Sequence, residues 1–218
     1  MNMKKKTAWQ IVFFVFILTV LASSQVFADS LTMTSYPTQW AGGYGVGAWK
    51  GRLNGGTTAN YYCVDFSGTT YIYSPFNVIV SSLSDLTNTK FYDKKDPALS
   101  LKQYQQVGWL MYEMQINPTQ VASIQYAMWS IFTPSTPTYG DSAYWLDAST
   151  KINPNDYDFS KMRVYTPTGS KNQEFIGGGV TALTPEPAEW VLLIMGLGLM
   201  TYFYNARNRR QAFVRVAR

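Results

Sequence analysis

Between residues 31 and 80 the apolar and aromatic positions alternate with polar ones, and glycine interrupts them. "AGGYGVGAW" (41–49) is glycine-punctuated, and "LNGGTTANYYCVDF" (53–66) turns at Asn54-Gly55-Gly56 before a run through Cys63. "GTTYIYS" (68–74) alternates threonine with tyrosine and isoleucine. Asn-Gly and Ser-Gly steps between aromatic runs are hairpin signals, so this stretch predicts strands and turns. From Asp96 the period becomes helical. In "DPALSLKQYQQVGWLMYEM" Asp96 is a natural N-cap, Pro97 takes the first helical position, and Tyr104, Val107, Met111 and Met114 share a face. Asn117-Pro118 predicts a stop near Gln115.

"NPTQVASIQYAMWSIF" (117–132) predicts a second helix, with Asn117 as cap, Pro118 at N1 and Gln120 completing a capping box. Val121, Ile124, Met128 and Phe132 form its apolar stripe, and Gln125 falls at the edge of that stripe. A buried amide without a partner costs about 1–3 kcal/mol, so Gln125 needs a partner. "PSTPTYGDS" (134–142) reads as a turn, and "MRVYT" and "QEFIGGGVTAL" as closing strands. The expected fold class is α+β: a β-rich domain, sandwich or barrel-like, with a two-helix insert and a C-terminal single transmembrane helix.

The two ends read differently. Lys4, Lys5 and Lys6 precede the apolar run Ile11–Leu21, and "VFADS" places Val26 and Ala28 before a cut. Residues 1–28 therefore read as a signal peptide, the alternative being a retained N-terminal anchor. At the other end, "TPEPAEWVLLIMGLGLMTYFYNARNRR" sets Pro185, Glu186 and Pro187 (184–187) before an apolar run, Trp190 to Tyr204, and then Arg207, Arg209 and Arg210. At about 1.5 Å per residue that run reaches roughly 23 Å, and Ala188 and Ala206 extend it toward the ~30 Å hydrocarbon core. The expectation is a span over 188–206 with a basic tail, 207–218, on the cytoplasmic side.

The order Pro-Glu-Pro, span, arginine cluster resembles the PEP-CTERM sorting signal of Gram-negative bacteria, the substrate tag of exosortases. The resemblance implies signal peptidase and exosortase as processing partners and a membrane-held precursor. Cleavage near the motif and release or attachment at the surface, often in an exopolysaccharide matrix or biofilm, would follow. The alternative is a permanent tail anchor behind a Pro-Glu-Pro linker.

Charge changes little once the ends are set aside. Three lysines before residue 7 and five arginines after 206 are eight of the eighteen basic residues; Ser30–Pro187 holds ten basic against eleven acidic. The basic balance belongs to targeting, and no nucleic-acid partner is expected. No histidine is present, which excludes a Ser-His-Asp triad, a Cys-His protease and histidine-ligated metal. "NPNDYD" (153–158) offers oxygen ligands for Ca²⁺, but turn chemistry explains it equally, so neither metal nor cofactor is expected.

Cys63 is the one cysteine, so in an oxidising compartment it has no disulfide partner within the chain. "YYCVDF" followed by "IQYAMW" resembles the paired motifs of TQxA-type thioester domains from Gram-positive surface adhesins, over roughly residues 40 to 180. Tyr62-Cys63-Val64 and Gln125-Tyr126-Ala127-Met128-Trp129 occupy the motif positions. Ile124 stands where the family has threonine, and the sorting signal is not a cell-wall one. The resemblance implies an adhesion domain over 30–183 in which the Cys63 thiol attacks the Gln125 amide. Ammonia leaves, and the resulting thioester is shielded by Tyr61, Tyr62, Tyr126 and Trp129. Amine- or hydroxyl-bearing partners on a surface or matrix protein or polysaccharide are then captured once each, without turnover.

The residues themselves also fit a buried structural cysteine and a hydrogen-bonded glutamine. Two other functions stay open: non-covalent exopolysaccharide binding through exposed aromatics, and a glycan-processing enzyme using Asp65 with Glu113 or Asp141.

Overall fold

The computed structural model describes residues 28–169, 171–183 and 194–201. Residues 1–27 of the signal peptide, Pro185, Glu186, Pro187, Arg207, Arg209 and Arg210 lie outside the described residues. Of the predicted span only 194–201 is described, as helix. No helix among the described residues is long and apolar enough to cross a membrane.

Among the described residues ten short strands carry the β part: β1 Asp29–Ser35, β2 Gln39–Ala41, β3 Tyr44–Val46, β4 Ala48–Leu53, β5 Thr58–Cys63, β6 Phe76–Ser81, β7 Tyr157–Asp158, β8 Arg163–Pro167, β9 Phe175–Gly177 and β10 Thr181–Ala182. Six of them close into a barrel in the order β1-β4-β5-β9-β8-β6. Every pairing around the ring is antiparallel, which an even number of strands permits, and closure leaves no edge unpaired. The sandwich-or-barrel expectation thus resolves to a closed barrel. The β2–β3 hairpin and the β7–β10 pair stand apart from the ring.

Between β6 and β7 the chain forms three helices, α1 Pro97–Ile116, α2 Val121–Phe132 and α3 Ser142–Thr150. The two-helix expectation is corrected here. Helix α3 is nine residues long, and its buried positions are Ser142, Trp145 and Ser149. Serine at two of three inward positions erases the apolar stripe that sequence reading depends on. The Ser149 hydroxyl is satisfied by the Leu146 carbonyl at 2.7 Å.

Helix α1 follows its sequence signals. Asp96 Oδ1 accepts from Leu99 N at 2.8 Å, and Tyr104, Val107, Met111 and Met114 are buried. Gly108 sits where α1 runs closest to residues 159–162. A Cβ there would come within 2.6 Å of Met162 Sδ and 3.1 Å of Phe159 Cε1. Helix α2 departs from expectation at its start. It begins at Val121 behind Gln120, with no side-chain cap. The Asn117 amide instead turns back on Glu113, donating to its carbonyl at 3.0 Å and its Oε2 at 2.8 Å, so the capping box does not form.

Two apolar clusters share the wall between barrel and helices. Tyr61, Cys63, Tyr165 and Phe175 belong to the barrel cluster; Tyr62, Val64, Val164 and Ile176 belong to the helical one. Strands β5, β8 and β9 therefore bury both faces, the period of two dividing their side chains between two cores. Helix α2 also divides: Ile124, Ala127 and Met128 enter the helical cluster, Tyr126 and Trp129 the barrel cluster.

Candidate functional site

Cys63 ends β5 with its side chain on the barrel face, 1% exposed, and Cys63 pairs with Phe175 of β9. Gln125 lies in the middle turn of α2, also 1% exposed. Residues Ser123 to Trp129 are all buried, so Gln125 sits inside the packed helix rather than at the edge of a stripe. Its amide is fully engaged. Nε2 donates to the Cys63 carbonyl at 2.7 Å and contacts Met128 Sδ at 3.8 Å; Oε1 accepts from Gly47 N–H at 3.3 Å. Two residues 62 positions apart in sequence are thus brought into direct contact.

Gly47, between β3 and β4, supplies the donor because only glycine fits there. Its φ is +93°, and a Cβ would approach Val121 Cγ1 at 2.9 Å. The Cys63 thiol donates to the Asp65 carbonyl at 3.1 Å. Burial pushes this thiol up to about 12; the Asp65 backbone and the Trp129 indole pull it partly back, while the Asp65 and Glu174 charges push it further up. Trp129 Nε1 faces the sulfur and favours its charged form, yet it has no conventional hydrogen-bond partner. A buried indole N–H without an acceptor is costly to keep.

Of the predicted flanking residues, Tyr62, Val64, Ala127 and Trp129 are all buried. Tyr61, Tyr126 and Trp129 share the barrel cluster with Cys63, whereas Tyr62 and Val64 point to the helical side. Tyr62 is therefore adjacent in chain but on the opposite face. The outer cover comes from residues the sequence did not single out. Phe66 tilts on Trp129 at 5.2 Å, Tyr44 meets Trp129 edge-on at 6.1 Å, and Tyr139 stacks on Tyr126 at 4.9 Å. Tyr44, on β3, is the solvent-facing layer at 44% exposed. The glycine spacing of "AGGYGVGAW" was the available signal for Gly47 and Tyr44, legible as a turn but not as a partner of Gln125.

A second polar cluster lies behind the cysteine. Asp65 and Glu174 are both fully buried. Asp65 pairs with Lys90, and Glu174 accepts from Tyr104 Oη, Thr166 Oγ1 and Lys90 N. The glycan-enzyme candidate Asp65 is therefore enclosed in an ion pair, and Glu113 is engaged by Asn117. Within "NPNDYD" Asn153 accepts from Asn155 N and donates to Asp156, while Asp158 accepts from Ser160 N beyond it. Among the described residues no three His, Cys, Asp or Glu side chains converge to hold a metal.

No protein-family model matches this chain, and no curated protein matches it by sequence. Solved structures similar to it include the N-terminal thioester domain of a surface protein from Clostridium perfringens (14% identity, 71% of this chain and 100% of that one, TM-score 0.45). The N-terminal domain of the Streptococcus pyogenes pilus tip adhesin Cpa is also similar (13%, 72% and 96%, TM-score 0.42). So is the N-terminal thioester domain of the fibronectin-binding protein SfbI from Streptococcus pyogenes (14%, 75% and 97%, TM-score 0.39).

Proposed function

We propose that this chain is an exported surface or matrix protein whose barrel domain links Cys63 to Gln125 as a thioester and spends that bond on one covalent attachment. The observation that carries the reading is the buried amide of Gln125 seated on the cysteine's own carbonyl, with a backbone N–H on its oxygen. An amide is a poor electrophile toward a thiol. Fixed near-attack geometry contributes roughly 7–11 kcal/mol toward such a step, and Gly47 N–H is aimed at the oxygen where charge develops.

In the forming step Cys63 Sγ bonds to Gln125 Cδ and the Cδ–Nε2 bond breaks. The thiol proton departs with Nε2, so ammonia is the product lost. Burial keeps the thiol protonated at neutral pH, so the proton moves as the sulfur attacks rather than beforehand. Trp129 N–H, unpaired otherwise, favours negative charge on sulfur during that transfer. In the capture step an amine or hydroxyl attacks the thioester carbonyl, an amide or ester to Gln125 forms, and Cys63 returns as a thiol. The aromatic cover from Tyr44 to Trp129 keeps water from competing. Delivery rests on the ends of the sequence: signal-peptidase cleavage after residue 28, then membrane retention and exosortase processing at Pro185-Glu186-Pro187.

Mass spectrometry of the mature protein tests the thioester. The peptides holding Cys63 and Gln125 are expected to be joined with loss of one ammonia. Cys63→Ala and Gln125→Ala should each abolish that ammonia loss, and methylamine should add to Gln125 and free Cys63 for alkylation. An unmodified pair, with Cys63 alkylated under native conditions before any amine is added, overturns the reading. Non-covalent glycan binding has one observation in its favour, the outward aromatics Trp40, Tyr71, Tyr73 and Tyr144, with Trp40 63% exposed. Glycan retention by Cys63→Ala but not by Trp40→Ala would select it.

A further inference from the structure

The polar cluster behind Cys63 holds a second pair arranged for covalent chemistry. Asp65 follows the cysteine by two residues and is fully buried, and its carboxyl oxygens are differently used. Oδ1 accepts from Ser67 N at 3.0 Å and from Ser67 Oγ at 2.8 Å. Oδ2 contacts the Lys90 ammonium directly. The backbone of Lys90 is held in turn, its N–H donating to Glu174 Oε1 at 2.7 Å. Glu174 is tied to the Asp65 side of the cluster as well, because its own carbonyl accepts from Val64 N at 3.0 Å. Nucleophile and carboxyl are thus both anchored at the main chain, in a site where the Asp65 side chain is fully buried.

We propose that Lys90 and Asp65 join as an intramolecular isopeptide bond, a second covalent link independent of the thioester. A proton passes within the contact from Nζ to Oδ2, giving a neutral amine and a carboxylic acid. Nζ then attacks Cγ. Charge develops on Oδ1, where the two Ser67 donors already point. Oδ2 departs with two protons as water, and an amide between Nζ and Cγ remains. Ammonium plus carboxylate equals amide plus water, so the step needs no oxidant, metal or co-substrate. Glu174, which accepts from Tyr104, Thr166 and the Lys90 N–H, is the buried acid beside the reacting pair; burial pushes its carboxyl up, against the pull of those three donors. The Lys90 side chain is 34% exposed, so the released water has a way out.

Trypsin reads the outcome directly, because no lysine or arginine lies between Leu53 and Lys90. Full-length protein treated with methylamine to free Cys63, then denatured and digested, is expected to yield peptide 53–94, uncut at Lys90 and one water lighter than its sequence. Lys90→Arg keeps the positive charge but cannot form the bond, and should return peptide 53–90 at full mass. Cys63→Ala should leave the water loss in place, which separates this link from the thioester. Peptide 53–90 at full mass from the unsubstituted protein means an ion pair only and overturns the proposal. So does a water loss that survives in Lys90→Arg, since it would belong to another carboxyl. The unsubstituted digest decides the matter alone if the variant fails to fold.

Discussion

Gly47 shows how much of the site depends on a single backbone position. It brings its N–H to Gln125 Oε1 only because φ is +93° and because nothing larger than hydrogen fits beside Val121. Gly47→Ala is therefore expected to cost about 1–3 kcal/mol of stability and to lower the fraction of molecules that lose ammonia. Thermal unfolding and peptide mass measured on the same preparation check both halves. A variant with unchanged stability and full ammonia loss would remove Gly47 from the mechanism. Cys63 and Gln125 were legible in the sequence because each breaks a pattern, one as a lone thiol and the other as an amide on an apolar helix. Gly47, Phe66 and Glu174 were not, since each looks locally like a turn, an aromatic or a charge, and acquires its role only through partners distant in the chain.

At the scale of elements, the caps divide into one that sequence describes fully and one that it misassigns. Asp96 caps α1 as its pattern implies, and Asp96→Ala is expected to cost ~1 kcal/mol, visible as a lower denaturation midpoint with an unchanged slope. Ahead of α2 the same kind of signal fails. Asn117 closes the end of α1 by bonding to Glu113 before it can cap the next helix, so two elements compete for one side chain. Helix α3 was missed for a different reason: Ser142 and Ser149 hold inward positions that an apolar pattern would give to leucine. "GTTYIYS" (68–74) alternates without forming a strand and turns at Tyr73, φ +60°. The strands around Cys63 and the closing strands were recoverable as alternating runs. Their closure into a ring was not, because β5 to β9 and β6 to β8 are pairings across more than eighty residues that no local pattern encodes.

For the whole molecule, the state of the thiol sets how alkali is tolerated. In the folded protein the free thiol is raised from an ordinary value of 9.0 to about 12, so folding favours the protonated form. Its contribution is complete below pH 9 and is lost as pH climbs toward 12. A thioester has no proton to lose. Methylamine-treated protein is therefore expected to lose stability between pH 9 and 12 faster than untreated protein, with Cys63→Ala following the untreated slope. Tyr61 and Tyr104 are also raised by burial, but they are common to all three samples and cancel in the comparison. Equal slopes before and after amine would mean that no thioester was present to open.

The strand order also decides where a pull would be felt. On the proposed reading, in which a target is fixed to Gln125 and the tether lies at the C-terminal end, tension enters at α2 and follows the chain through α3 to β8 and β9. Those two neighbours are flanked on both sides by strands from before the helices. Val164–Pro167 is laced to Val78–Ser81, and Phe175–Gly177 to Tyr61–Cys63. The first half of the chain lies outside the line of force yet grips it from either flank. Extension therefore cannot peel one strand from an open margin; it has to tear two seams of the ring at once.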